Sequence, residues 1–356
     1  MGEGLRRMGL GLLLIALAGG VLLFSDRHNR RGAAAAPRRT RAALVQHASV
    51  KALDDGRRGL VEQLAARGYR DGDALDLVPY NAEGDIASAN AIAKDVTSGD
   101  FDLLVTLSTP SLQTVAAANK AARQTRHVFG LVSDPFAAGV GIDSADHRRH
   151  PPYMTGYGSL QPVAQLLRTI PELRPECKRL GLVWNPAESN SFAQTQLARQ
   201  VCQELGIELL EASAENAAAV QEAANALVAR GAEALWVSGD ITVMLSTTAV
   251  IRAAQSGRIP VFTSNPPSVL RGALLDLGAD YVAIGRSVGD LAADVLDGKN
   301  PADVPVENLM RSVLLVNETA LDNLKDRWTL PAALRERADG WISKTETRLP
   351  PGLDKL

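Results

Sequence analysis

The chain has 356 residues, with 38 Lys and Arg against 40 Asp and Glu, a formal net charge of −2 and 46% apolar residues. This composition is typical of a globular protein and excludes bulk disorder and a membrane protein with several spans. The balanced charge argues against nucleic acid as the main partner, because phosphate binding needs an excess of clustered Lys and Arg. Two cysteines, Cys177 and Cys202, are too few for a disulfide framework or a four-cysteine zinc site.

The amino end carries the pattern of a targeting segment. Arg6 and Arg7 precede an uncharged apolar run from Met8 to Phe24, and six arginines follow between residues 27 and 41. The run has about the minimum length that crosses the hydrocarbon of a bilayer. We expect an uncleaved membrane anchor in preference to a cleaved signal or a core helix, with a linker up to residue 41. Its orientation stays open, because more arginines follow the run than precede it.

Beyond residue 41, short apolar stretches alternate with segments of helical periodicity. The first part predicts strands at 42–46, 75–78, 102–107 and 127–132, with helices at 53–68, 86–96 and 111–123. The second part predicts strands at 179–184, 207–211, 234–237, 259–262, 273–277 and 312–316, with helices at 162–170, 192–205, 217–229, 243–254 and 281–296. Such alternation is typical of a parallel sheet covered on both faces, and its restart indicates a second sheet.

These elements predict an α/β protein of two doubly wound parallel-sheet lobes joined by a hinge, with a cleft between them. We expect lobe 1 to hold 42–157 and about 278–300, lobe 2 to hold 158–277 and about 301–340, and a tail at 341–356. Ligands of open α/β sheets bind where strands run into helix amino ends. Ser108-Thr109-Pro110-Ser111, Asp134-Pro135 and Ser189-Asn190-Ser191 stand at such junctions. Each equally suits a helix cap or a turn, whereas several together indicate a cleft.

Enzyme signatures are missing from the sequence. No G-x-G-x-x-G follows the first predicted strand, and neither a phosphate loop nor a G-x-S-x-G nucleophile motif occurs. His147 and His150 lie in a polar, arginine-rich loop, for which a solvated surface is the simpler interpretation than a metal site. We therefore expect a binding protein without catalytic activity, metal or cofactor.

Ordered motifs between about residues 42 and 322 resemble one known family. They are Gly59-Leu60, Leu64–Tyr69, Tyr80–Asp85, Leu107–Pro110, Phe129–Pro135, Ala138-Gly139, Met154–Gly156, Asn185-Pro186, Glu188–Ser191, Gly239-Asp240, Ile259–Phe262, Gly272-Ala273, Gly278–Tyr281 and Gly285-Arg286. In these motifs the chain resembles the ABC-transporter substrate-binding proteins related to the tryptophan/tyrosine-binding lipoproteins, of the type I periplasmic-binding-protein fold. It departs from them at Ser238–Ile241, where the family commonly shows Thr-Asp-Asn, and in lacking the lipid-attachment cysteine.

The resemblance implies a hinged extracytoplasmic receptor that captures a small molecule, such as an amino acid, and presents it to the permease subunits of an ABC importer. The residues that it places in the cleft are Ser108, Thr109, Asp134, Thr155, Ser189, Asn190, Asp240 and Asp280. A zwitterion needs N–H and hydroxyl donors for its carboxylate and an acidic partner for its ammonium.

Two other functions stay open on the sequence alone. In the first, a membrane-tethered sensor, the same lobes would report the ligand to a partner protein, and no permease genes would lie beside its gene. In the second, an enzyme on this fold, a nucleophile and a base would have to meet in the cleft. Only His47 and His127 lie near the predicted junctions, and both are better interpreted as strand residues.

Overall fold

The computed structural model of the protein describes Leu17, Gly20, Val21 and residues 39–354. Most of the predicted anchor at 8–24 and of the linker up to residue 41 therefore lies outside the described residues. Within the described part, no helix combines the length and the apolar character that crossing a membrane requires.

The strands and helices follow one another in the alternation that the periodicity predicts. The strands are β1 Thr40–Gln46, β2 Leu75–Asn81, β3 Leu103–Leu107, β4 His127–Val132, β5 Met154–Gly158, β6 Arg179–Trp184, β7 Glu208–Ser213, β8 Ala234–Val237, β9 Val261–Thr263, β10 Leu275–Ala279, β11 Glu307–Asn308, β12 Ser312–Asn317, β13 Gly340–Ile342 and β14 Thr347–Arg348. The helices are α1 Lys51–Ala66, α2 Ile86–Ser98, α3 Thr109–Ala121, α4 Val163–Leu173, α5 Ser189–Leu205, α6 Val220–Ala229, α7 Ile241–Met244, α8 Thr247–Gly257, α9 Tyr281–Leu296 and α10 Ala332–Arg337.

Two sheets divide these elements into two lobes. The first sheet has the strand order β11-β5-β4-β3-β1-β2, and with α1, α2, α3 and α9 we call it lobe 1. The second has the order β14-β13-β12-β10-β9-β8-β6-β7, and with the remaining helices we call it lobe 2. Antiparallel pairs join β10 to β12 and β13 to β14, whereas the other resolved pairings are parallel. The expected α/β fold of two mainly parallel lobes is confirmed.

The chain crosses between the sheets at three places. Residues 159–162 lead from β5 to α4, Asp280 joins β10 to α9, and residues 309–311 join β11 to β12. The lobe boundaries set out above stay a prediction. Taking membership of a sheet as the criterion, we propose that the third crossing lies at 309–311 instead of near 300, and that the segment after 340 belongs to the edge of the second sheet.

Each lobe has its own core, and apolar strands explain why. The residues of β3 and β4 are buried throughout, as expected for central strands covered by helices on both faces. Lobe 2 packs Val163, Leu166 and Ile170 of α4 around the buried Trp236 and Phe262. The second lobe also holds both cysteines, free and buried; burial raises the pKa of Cys177 to about 11 and that of Cys202 to about 12.

Glycines allow α1 and α9 to pack closely in lobe 1. A Cβ atom built on Gly59 would lie 2.1 Å from the carbonyl oxygen of Val282, and one on Gly285 would lie 2.0 Å from that of Gly56. Because these neighbours are backbone atoms, they cannot move aside as a side chain can. The two helices therefore meet backbone to backbone, which fixes the starts of both helices relative to each other.

Some predicted elements differ from the observed ones. The predicted helix 243–254 is wrong as one element: Ser246 interrupts it, giving α7 and α8. Strand β5 was not predicted, because its sequence Met154-Thr155-Gly156-Tyr157-Gly158 contains two glycines and reads as a loop. In the structure Gly156 is needed there, since a Cβ would lie 2.2 Å from the carbonyl oxygen of Phe129 on the neighbouring strand.

Candidate functional site

A small cavity lies between the lobes, with about 30 Å³ open to the centre of a water molecule, and it is partly open to solvent. Lobe 1 contributes the beginnings of α1 and α3 and the end of β4, and lobe 2 contributes α5 and the loop from β8 into α7. The lining residues are Val50, Ala52, Leu53, Ser108, Thr109, Leu131 and Ser133 from lobe 1, Asn190, Gly239, Ile241 and Met244 from lobe 2, and Ser159, Gln161 and Tyr281 from or beside the crossing segments. We call this space the ligand cavity.

Three of the eight predicted cleft residues line this cavity: Ser108, Thr109 and Asn190. Ser108 caps α3, and its Oγ accepts a hydrogen bond from the backbone N–H of Ser111 at 3.4 Å. Asn190 stands in the first turn of α5, where its Nδ2 donates to the carbonyl oxygen of Gly239 at 3.0 Å. These side chains come from opposite lobes, so the same small molecule can contact both lobes at once.

The carboxylates of the predicted set bind backbone N–H groups instead of lining the cavity. Asp240 caps α7 and accepts from the N–H groups of Val243 at 2.8 Å and Asn185 at 2.6 Å. Asp280 caps α9 through the N–H of Ala283 at 3.0 Å. Asp134 closes a turn, accepting from the N–H of Phe136 at 2.9 Å. All three hold the backbone at the junctions from which the cavity is built.

The two remaining predicted residues also lie outside the lining. Thr155 is buried in β5 and donates its Oγ1 proton to the carbonyl oxygen of Val304 at 3.0 Å. Ser189 begins α5, and its buried Oγ has no hydrogen-bond partner among the described residues. Direct ligand contacts of the full predicted set stay a prediction.

Two glutamines that no motif indicated organise the cavity. Gln194 is fully buried on α5; its Oε1 accepts from the N–H of Gly239 at 2.8 Å, and its Nε2 donates to the Oγ of Ser133 at 3.2 Å. This side chain therefore joins lobe 2 to lobe 1. Gln161, in the first crossing segment, donates to the hydroxyl of Tyr281 beside the second crossing. Gln194 lies one helical turn after Asn190, so both side chains share one face of α5. This spacing of two polar residues was the one sequence signal that could have indicated Gln194 as a site residue.

The lobes are in contact around the cavity. Ile241 belongs to the apolar cluster that fills lobe 1, and Met244 packs against the same cluster. Leu245 of lobe 2 also lies close to Gly84 of lobe 1: a Cβ atom built on Gly84 would lie 3.3 Å from the Cδ1 of Leu245. The two lobes thus lie in a closed arrangement, which a molecule in contact with both lobes would favour.

The cavity lining carries unused hydrogen-bonding groups and no charged side chain. Asn190 Oδ1 and Gln161 Oε1 are buried without a hydrogen-bond partner within residues 39–354. On the opposite wall, α1 begins at Lys51 without a side-chain cap, which leaves N–H groups of its first turn available. Buried polar groups normally have partners, so both sets of atoms suit a polar ligand.

The acids beside the cavity are held in a low-dielectric setting. Burial, followed by the charge of Glu188, raises the pKa of Asp240 well above its ordinary value. Glu188 itself accepts from the N–H groups of Ile241 and Thr242, both at 2.9 Å. Burial also raises the pKa of Tyr281 to about 12, so its hydroxyl is neutral at physiological pH.

Backbone strain lies at the cavity wall. Ser108 has a φ of 105° and Leu131 a φ of 56°, values in the region that side-chain-bearing residues rarely adopt. Both residues line the cavity. Strained conformations of this kind persist only where the surrounding structure enforces them, and they concentrate at binding sites.

Comparisons with known proteins agree with this geometry. The family described as ABC transporter substrate binding protein matches residues 41–339. A tyrosine-binding protein of Clostridioides difficile is 31% identical over 281 residues, covering 79% of this chain and 79% of that protein.

Two solved structures show the same architecture. A conserved domain protein from Vibrio cholerae is 32% identical with a TM-score of 0.80, over 86% of this chain and 100% of that chain. A Streptococcus pneumoniae ABC domain in complex with L-Trp is 24% identical with a TM-score of 0.78, over 86% of this chain and 100% of that one, and this likeness concerns the fold.

Proposed function

Because the chain belongs to the family of ABC transporter substrate-binding proteins, we propose that it captures an amino acid in the cavity between its lobes. The closed protein would then present the amino acid to the permease subunits of an ABC importer. Its fold is that of type I periplasmic binding proteins, and solved neighbours of this fold are named as solute-binding proteins. We accordingly propose binding and release of an unchanged solute, without a catalytic step.

The unpartnered amide oxygens on one wall are the observation that carries the proposal. Asn190 Oδ1 and Gln161 Oε1 can each accept a hydrogen bond from a ligand ammonium. The uncapped start of α1 offers N–H groups and the positive end of a helix dipole to a carboxylate, and Ser108 and Thr109 add hydroxyls. A neutral lining with donors on one side and acceptors on the other suits a zwitterion, whose own charges cancel.

The relatives support the choice of ligand class. The C. difficile relative is named for tyrosine binding, and the S. pneumoniae structure holds L-Trp. From the sequence we expected a carboxylate to bind the ligand ammonium. The cavity lining contains no carboxylate, so we propose that neutral amide oxygens bind the ammonium instead. Hydrogen bonds to a charged group in a desolvated site are among the stronger ones.

Replacing Asn190 by Leu is the direct test of this assignment. Asn190→Leu removes one acceptor for the ammonium, and we expect ligand affinity to fall by about 10- to 100-fold, the effect of losing a hydrogen bond to a charged group. Isothermal titration with a panel of the twenty common amino acids would first identify the ligand of the unchanged protein. Asn90→Leu, at an exposed site on α2, is the matched control and should bind as the unchanged protein does.

Two results would contradict the proposal at different levels. Flat heats for every amino acid with folded protein would reject an amino acid as the ligand. Binding that Asn190→Leu leaves unchanged would keep the ligand class but remove Asn190 from the site.

We further propose that the protein works outside the cytoplasm, attached to the membrane by residues 8–24. The motivation is the uncharged apolar run between arginines. Expressed from its full sequence, the protein should sediment with membranes and resist alkaline carbonate extraction, because an apolar span cannot be washed off. Recovery of an uncut chain in the soluble fraction would contradict the anchor, and recovery of a shortened chain would indicate cleavage.

A further inference from the structure

A second space adjoins the ligand cavity. It has about 140 Å³ open to the centre of a water molecule, is partly open to solvent, and shares Val50, Ala52 and Met244 with the ligand cavity as lining residues. Because these three apolar residues line both, the two spaces lie side by side. We call the second space the side compartment.

The side compartment differs from the ligand cavity in charge. Two cations, Lys51 and Arg271, are among its lining residues. The ammonium of Lys51 is already paired with both oxygens of Asp55, at 2.8 and 3.0 Å. Arg271 is half-buried, and no hydrogen bond or ion pair to its guanidinium occurs in the described range 39–354.

Asp276, the acid whose pKa the charge of Arg271 lowers, is hydrogen-bonded to other groups. Asp276 is fully buried and accepts from the hydroxyl of Thr263 at 2.5 Å and the N–H of Val269 at 2.8 Å. Although the charge of Arg271 lowers the pKa of Asp276, burial dominates and raises it to about 7. Arg271 therefore lines the compartment with no protein acceptor for its guanidinium donors among residues 39–354.

We propose that the side compartment receives the side chain of the bound amino acid, and that Arg271 binds an oxygen acceptor at the far end of that side chain. This inference rests on the proposed amino-acid function. The apolar Val50, Met244 and Pro266 would contact the stem of the side chain, since they line the compartment. The proposed ligand carries an acceptor oxygen at the end of an apolar stem. This oxygen can belong to a carboxylate or to a phenol, because arginine presents several N–H donors in a fixed planar fork and can donate to either group.

Matched ligand pairs test this assignment. Tyrosine against phenylalanine, and glutamate against norvaline, differ in the terminal oxygen, and isothermal titration gives the affinity for each. We expect the unchanged protein to bind at least one oxygen-bearing member more tightly than its partner, by about 10-fold or more. Arg271→Met, which keeps an unbranched stem without donors, should abolish that preference and leave the affinity for phenylalanine or norvaline unchanged.

Two further variants and a melting curve keep the result interpretable. Arg271→Lys should retain part of the preference, because it keeps the charge but loses the fork. Arg252→Met, at an exposed site on α8, is the control for removing an arginine from lobe 2 and should change nothing. Thermal unfolding would show that each variant is folded.

The outcomes separate this inference from the function on which it rests. If no amino acid binds the unchanged protein, both are overturned. If amino acids bind but neither pair is discriminated, or if Arg271→Met keeps the discrimination, the role of Arg271 is overturned and the amino-acid function stands. A preference for the phenol pair identifies a tyrosine-like ligand, and one for the carboxylate pair identifies an acidic ligand.

Discussion

Gly239→Ala is expected to lower the affinity for the ligand by about 100-fold or more, while the fold is retained. A Cβ at this position would lie 2.5 Å from Gln161 Oε1 and 2.6 Å from Gln194 Nε2. Both amides must therefore move, which would take away the acceptor that we propose Gln161 offers to the ligand and would break the bond from Gln194 to Ser133 that joins the lobes. Two lost polar contacts of about 1–3 kcal/mol each account for a change of this size.

Isothermal titration with the amino acid that binds best measures this effect, and small-angle scattering with and without that ligand measures closure. Gly257→Ala is the control in the same lobe, because its Cβ would also overlap a side-chain atom, Val228 Cγ1 at 2.5 Å, but outside the lining of the ligand cavity. Normal affinity and normal closure in Gly239→Ala would show that the two glutamines do not organise the site.

Gly285→Ala is expected to lower the free energy of unfolding by about 1–3 kcal/mol, as overpacking of a tight interface does. The added Cβ would lie 2.0 Å from the carbonyl oxygen of Gly56, so α1 and α9 must separate. Alanine also favours a helix over glycine by about 1 kcal/mol, which offsets part of the cost. The overlap with a backbone atom decides the sign, because no rotamer change can relieve it.

Urea unfolding followed by circular dichroism measures this change. Gly289→Ala on the same helix should cost less, because its Cβ would lie 2.7 Å from the carbonyl oxygen of Leu60. Ser287→Ala, at a half-buried position between them, adds no atom and serves as the control. A gain in stability for Gly285→Ala would mean that the helices have room to separate at little cost.

The fold could be predicted because its central strands, such as β3, β4 and β8, are short, apolar and buried on both faces. Strands β4, β6 and β8 and helix α9 have the bounds that the periodicity predicts. In contrast, β5 and β11 depend on long-range pairing, which a glycine-containing pentapeptide or a dipeptide does not encode locally.

The site could be predicted only at its helix starts. A hydroxyl or amide that follows a strand is a visible signal, and Ser108, Thr109 and Asn190 line the cavity. A carboxylate at such a junction is ambiguous, because capping a helix and binding an ammonium need the same residue at the same place. Asp240 and Asp280 both cap helices in the structure. Gln161 and Gln194 were missed because their role comes from contacts between elements distant in sequence.

Because both native thiols are buried, movement of the lobes can be measured with fluorescent dyes without first replacing the native cysteines. Maleimide dyes react with thiolates, and Cys177 and Cys202 are buried with pKa values raised to about 11 and about 12. Labels would therefore attach selectively at cysteines introduced on the surface, such as Asp73→Cys in lobe 1 and Glu222→Cys in lobe 2, both at exposed positions. Energy transfer between two such dyes would follow opening and closing in single molecules, in the otherwise native protein.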